Sequence, residues 1–280
     1  MSKSKVTDLR KHYPALAPDK DYPPLKFKSL KGKVSAAEWE ARVDCACAYR
    51  LVRYFDMHDL IYNHISARIP GTEEFLLNAF GLMYEEICAS SLIKVNLKGD
   101  VLWAPEFPKG LNYTFNLAGY VIHGAIHEAK PEIHCVIHTH SLAGMAVASL
   151  EKGLLPMTQT AMRFAKVAYH DYEGVVLEMD ERKRLLHNLG DAEVMLLRNH
   201  GTLALGKSVA EAFNNAYRLE RACRAQLLAQ STTDLILLPS ATVVEKTSRL
   251  YRPEVRRPMG LLEWPAMRRL ADRIDPSYKT

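Results

Sequence analysis

The chain has 280 residues and no uninterrupted apolar run long enough to span a bilayer; a spanning helix needs about 20 such residues. That excludes a helical membrane protein. The opening Met1-Ser-Lys-Ser-Lys has no apolar stretch behind it, which argues against a secretory signal. Cysteine is scarce and odd in number, five in all. Cys45 and Cys47 stand two apart, while Cys88, Cys135 and Cys223 are scattered, so neither a disulfide framework nor a CxxC metal knuckle fits. The expectation is buried thiols in a reducing, cytoplasmic compartment. Internal repeats are absent, and no flexible linker divides residues 35–230.

Charge of one sign is scarce where a nucleic-acid binder would need it. The net charge is +5, but residues 1–33 carry +6 and residues 248–280 carry +4, leaving −5 for the body between them. A nucleic-acid module concentrates basicity on its folded face, so neither nucleic acid nor membrane is an expected partner. We expect a basic, proline-containing arm over 1–33, a folded unit over 34–230 and a proline-rich tail over 231–280. The tail would pack on that unit or on a neighbouring subunit.

What is present is a regular alternation of strand and helix patterns. Ser35 and Glu38 form a capping box ahead of a helix over about 36–57. Strands follow at 62–69, with the Pro70-Gly71 stop, and at 74–77. A short helix is expected at Ala89–Leu92, then a strand over 93–96 and a helix over about 115–129. A strand over 135–138 and a helix over 142–150 come next. Short strands are expected at 167–169 and 174–177. Asp180 opens a helix to about Leu189, strands follow at 194–198 and 202–205, and Ser208 with Glu211 opens a helix to about Gln230. This pattern predicts an α/β fold, a three-layer α/β/α domain around a largely antiparallel sheet.

Eleven histidines are many for this length. His138-Thr139-His140 ends an apolar strand, and residues i and i+2 of a strand share a face. His200 ends a second apolar strand and is followed by Gly201, which permits close backbone approach. Three neutral imidazoles from two strand ends make a metal site with open positions, suited to zinc or to some non-haem iron centres.

Taken together, Tyr62-Asn63-His64-Ile65-Ser66-Ala67-Arg68, Asn78 to Leu82, His138-Thr139-His140-Ser141 and Asn199-His200-Gly201 through Gly206 resemble the class II aldolase/adducin family over roughly 35–230. The closing segment, Glu263-Trp264-Pro265 to Ile274-Asp275-Pro276-Ser277-Tyr278, is similar to tails of bacterial members. The resemblance implies a divalent metal, zinc before Fe(II), held by His138, His140 and His200. It also implies a homotetramer with the active site at a subunit edge.

The departures from that family pattern carry as much information. Its sugar-phosphate aldolases place an acid/base carboxylate nineteen residues before the first HxH histidine, which is Gly119 here. Their phosphate-binding hydroxyl residues are replaced by Leu117 and Ala118, and their Thr-Gly by Phe80-Gly81. Only Asn63 and Gly81 remain of that cradle. Their cross-subunit tyrosine falls near Gln159-Thr160. Among neighbouring residues, His123 is a candidate for proton transfer, whereas His127 reads better as structural. Asn199 could orient a ligand, Arg163 could meet a substrate carboxylate, and Phe80 and Leu117 could line an apolar pocket. Glu85 and Glu86 read as surface charges. The expected function is metal-dependent lyase chemistry, aldol cleavage or decarboxylation, on a small non-phosphorylated hydroxy- or oxo-acid or carbonyl substrate. Two alternatives remain: an Fe(II) oxygenase that oxidatively decarboxylates aromatic 2-oxo or 2-hydroxy acids, and a non-catalytic adducin-like scaffold.

Overall fold

A computed structural model of the protein describes residues 24–280 apart from 109–110, 112, 165, 175–178, 234, 253 and 256. Most of the N-terminal arm, and the strand expected at 174–177, therefore lie outside the described residues. In chain order the elements are α1 (Ala36–Tyr54), β1 (His64–Arg68), β2 (Phe75–Leu77), β3 (Ile93–Val95), β4 (Val101–Trp103), α2 (Leu117–Ala129), β5 (Cys135–Thr139), α3 (Leu142–Ala148), α4 (Gln159–Met162), β6 (Val167–His170), α5 (Met179–Leu189), β7 (Val194–Leu197), β8 (Gly201–Gly206), α6 (Val209–Gln230), α7 (Ala241–Arg249) and α8 (Trp264–Ile274), with a closing 3₁₀ turn at Pro276–Lys279.

The helices begin where short polar side chains can take up free N–H groups. Ser35 Oγ accepts from Glu38 N, Asn116 Oδ1 from Ala118 N, Ser141 Oγ from Gly144 N and Ser208 Oγ from Glu211 N. Glu38 does not complete the expected capping box. Its carboxylate is taken by Arg42 Nε at 2.8 Å and Lys94 Nζ at 3.2 Å.

Among the described residues eight strands form one sheet in the order β4-β3-β2-β1-β5-β8-β7-β6. Every pairing is antiparallel except β6 with β7. Both faces are covered. Alternate residues such as Cys135, Ile137 and Ala204 pack towards α1 and α6, whereas Val136, Leu203 and Leu205 pack with Val121, Ile122 and Ile126 of α2 and Leu185 and Leu189 of α5. This is the expected α/β/α layering around a mostly antiparallel sheet.

Two expectations need correction here. The short helix at Ala89–Leu92 is a turn, because its donors are used elsewhere: Ala89 N bonds Tyr278 O and Ser90 N bonds Thr280 O, each at 2.8 Å. The tail is more regular than its prolines suggested. Pro265 sits in the first turn of α8, where its missing N–H costs nothing. The end of the chain packs on α1: Trp264 Nε1 donates to Asp44 at 2.9 Å, Arg50 pairs with Asp275 at 2.9 Å, and Tyr278 is buried. No helix among the described residues is long and apolar enough to cross a membrane.

Candidate metal centre

The sheet order puts β5 beside β8, and β7 on the other side of β8. The end of β5 therefore lies close to the β7–β8 turn that carries His200. Asn199 takes φ +55 in that turn, a left-handed conformation that asparagine tolerates better than most residues. Gly201 is required for a different reason. A Cβ there would meet the Thr139 carbonyl oxygen at 2.4 Å and the His140 ring at 3.1 Å.

The result is a close triangle of imidazoles. Ring centroids are 4.7 Å apart for His138–His140 and 4.9 Å for both His138–His200 and His140–His200. One donor atom from each lies within 4.8 Å of the others. Burial pushes all three below the usual imidazole range: His138 well below it, His140 below it despite the Asp59 carboxylate, and His200 down to about 4. Each ring therefore presents a lone pair at neutral pH.

Two of the rings are also oriented for coordination. His138 Nδ1 donates to the Thr202 carbonyl oxygen at 3.0 Å, and His140 Nδ1 donates to Asp59 Oδ2 at 3.1 Å. Both Nε2 atoms are then bare, yet they face each other at 2.9 Å. Two facing lone pairs repel unless a cation lies between them. Histidine ligands to metals hold their second nitrogen in this way, so these residues fit a divalent ion.

The comparisons agree with this geometry. The sequence matches the Class II Aldolase and Adducin N-terminal domain over residues 43–227. The chain belongs to the class II aldolase and adducin family. It is 42% identical to an aldolase II superfamily protein from Pseudomonas syringae, covering 90% of this chain and 100% of that one with a TM-score of 0.81. Similarity to the L-fuculose 1-phosphate aldolase of Glaciozyma antarctica PI12 is lower, 25% identity over 92% and 97% of the two chains, with a TM-score of 0.75. Alpha-adducin of Rattus norvegicus is 42% identical over 66% of this chain, but that covers only 25% of the adducin.

Set in this family fold, the other expected residues separate. Asn63 is buried, and neither its Oδ1 nor its Nδ2 has a partner among the described residues. Phe80 is half-buried with its ring 6.1 Å from that of Tyr62. Gly81 has φ +118, and a Cβ there would strike the Tyr113 ring at 2.6 Å. Leu117 is half-buried as the first residue of α2. His123 is fully buried on α2.

Asn199 is exposed in its turn beside His200, with its backbone in the left-handed conformation. Arg163 needs correction. Arg163 is at the far end of the sheet. β6 and β7 run parallel, with Val167 opposite Val194 and His170 opposite Leu197. Arg163 precedes the start of β6, whereas His200 follows the end of β7. Its guanidinium bonds Asn215 Oδ1 at 3.2 Å and lines a separate cavity of about 310 Å³ with Glu193 and Tyr251.

Three neighbours of the site escaped sequence reasoning. Asp59 carried no pattern. His64 and Ser66 sat in the strand expected over 62–69 without being singled out, and β1 is buried along its whole length. His64 pairs with His138 across β1 and β5, and their rings stack at 4.8 Å. The available signal was a polar strand face, His64, Ser66 and Arg68, opposite a helix with Gly119, His123 and His127 at four-residue intervals.

Proposed function

We propose that this protein is a divalent-metal-dependent enzyme of lyase type. It would act at a C–C bond of a small, non-phosphorylated hydroxy- or oxo-acid or carbonyl compound. The observation that carries this reading is the pair of bare Nε2 atoms on His138 and His140, facing each other beside His200. His138, His140 and His200 would hold the ion, with zinc the expected metal. When bound, such an ion supplies Lewis-acid polarisation of a substrate oxygen.

The rest of the reading concerns the chain's own residues. Thr202 and Asp59 hold two of the ligand rings in place. Asn63 offers an unspent buried amide to the substrate. Phe80 and Leu117 offer apolar surface where the sugar-phosphate pattern has hydroxyl groups, and apolar surface does not pair a phosphate dianion. Gly119 supplies no carboxylate at the usual position, and the His64 ring lies against it. These features support a substrate other than a sugar phosphate. A homotetramer with sites at subunit edges is part of the same proposal.

Metal analysis tests it. The purified protein should contain zinc. His140→Ala and His200→Ala should each abolish retention of the metal with circular dichroism unchanged. Asp59→Ala should weaken zinc binding by about 10- to 100-fold. Iron on purification, with O₂ consumed alongside an aromatic 2-oxo acid, would replace the lyase reading with the oxygenase one. A protein that takes up no metal on dialysis would leave a scaffold role, as its 42% identity to alpha-adducin allows.

A further inference from the structure

A second group of side chains meets the candidate centre from α2, and its hydrogen bonds can run in only one direction. Two residues along a strand advance about 6.6 Å and four along a helix advance about 6 Å. His64, Ser66 and Arg68 therefore register against Gly119, His123 and His127. His127 Nδ1 lies 3.2 Å from the Ile133 carbonyl oxygen. A carbonyl only accepts, so Nδ1 carries the proton. Burial pushes His127 down to about 3, which leaves its Nε2 bare. Ser66 Oγ is 2.7 Å from that Nε2 and must donate to it.

With its only proton used, Ser66 Oγ accepts from His123 Nδ1 at 2.6 Å. His123 Nε2 is then bare in its turn, and His64 Nδ1, 2.8 Å away, donates to it. Among the described residues no carboxylate bonds the His64 ring, so a charged form there would be a buried cation without a partner among them. The direction set at Ile133 thus passes through three residues and leaves His64 Nε2 as a lone pair. That atom has no hydrogen-bond partner among the described residues. The His64 ring stacks on His138 and fills the space beside Gly119, where an added Cβ would lie 2.8 Å from Nε2.

We propose that His64 Nε2 is a hydrogen-bond acceptor held towards the substrate, and that it selects a 2-hydroxy acid over the matching 2-oxo acid. A hydroxyl donates to this lone pair. A keto oxygen brings a second lone pair against it, and a buried acceptor left unmatched is costly. His123, Ser66 and His127 are positioning residues that fix the His64 tautomer. The inference rests on the metal-dependent reading above and narrows its substrate class.

The test uses zinc-loaded, full-length protein and two probes, mandelate and phenylglyoxylate, which differ only at the 2-position. Calorimetry should give mandelate at least about tenfold tighter binding, the size of one well-made hydrogen bond. In His64→Ala that ratio should fall towards the preference of the metal alone, with zinc content unchanged. ¹⁵N NMR of the wild-type protein, which needs no variant, should show His64 Nε2 unprotonated and Nδ1 protonated. His127→Phe should allow the other tautomer at His64 and reduce the ratio without loss of zinc. Equal binding of the two acids, a ratio unmoved in His64→Ala, or a protonated Nε2 overturns the role of His64 and leaves the metal reading intact. Failure of both acids to bind the zinc-loaded protein overturns both readings.

Discussion

At the scale of single residues, the site is built from exclusions as much as from ligands. Gly119 is in the first turn of α2, where alanine would ordinarily stabilise a helix by up to about 1 kcal/mol. Here a Cβ would lie 2.6 to 2.8 Å from the His64 ring, and overpacking of this kind costs about 1–3 kcal/mol. The clash should win. Gly119→Ala should lower the urea midpoint, whereas in a His64→Ala background the same change should be neutral or stabilising. A coupling energy of zero in that double-mutant cycle would contradict the close approach. Such contacts also explain what was legible in advance. His138 and His140 could be read directly because i, i+2 spacing at a strand end already encodes convergence, and His200 because it ends a second apolar strand before Gly201 and completes the family motif. His64 could not, because nothing local says that a polar strand face is covered by a helix 50 or more residues later.

At the scale of elements, α3 stands directly behind the HxH segment and is held by buried polar bonds. Ser141 Oγ caps α3 at Gly144 N and also donates to Glu220 Oε2 of α6 at 2.5 Å. Glu220 is buried and accepts a second bond from Arg224 at 2.5 Å. Ser141→Ala removes the cap and leaves a buried carboxylate oxygen unmatched, so we expect a loss of about 1–3 kcal/mol. Urea unfolding followed by circular dichroism checks this, and an unchanged midpoint would contradict it. Element boundaries were readable where caps and periodicity coincide, as at Ser35 and Ser208. They failed at Ala89–Leu92, whose N–H groups are taken by residues near the other end of the chain. Arg163 was misplaced for a similar reason: which end of a strand a residue flanks depends on whether its partner runs parallel, and among the described strands β6 with β7 is the one parallel pair.

At the scale of the whole molecule, the layered packing buries a row of histidines in neutral form. His64, His123 and His138 are pushed well below the usual imidazole range, and His127 down to about 3, burial being the largest cause in each case. The unfolded chain takes up protons below about pH 6.5 that the fold refuses. Stability of the metal-free protein is thus fully present above that pH and is lost as the pH falls towards 3. Each such histidine contributes a slope of about 1.4 kcal/mol per pH unit. Urea midpoints at pH 7 and pH 5 measure it, and equal midpoints would contradict neutral burial. The three-layer class was readable from alternating strand and helix patterns, but the strand order that joins β1 to β5, and so His64 to His138, was not.

The crowding between position 119 and the His64 imidazole also constrains how such a site can be reached. A chain bearing a side chain at 119 has no room for the ring, whereas a chain with glycine there first has only an unfilled space. With the imidazole in place, a side chain at 119 therefore carries the overpacking cost, and without it that cost disappears. A carboxylate side chain at 119 would compete for the same space as the imidazole.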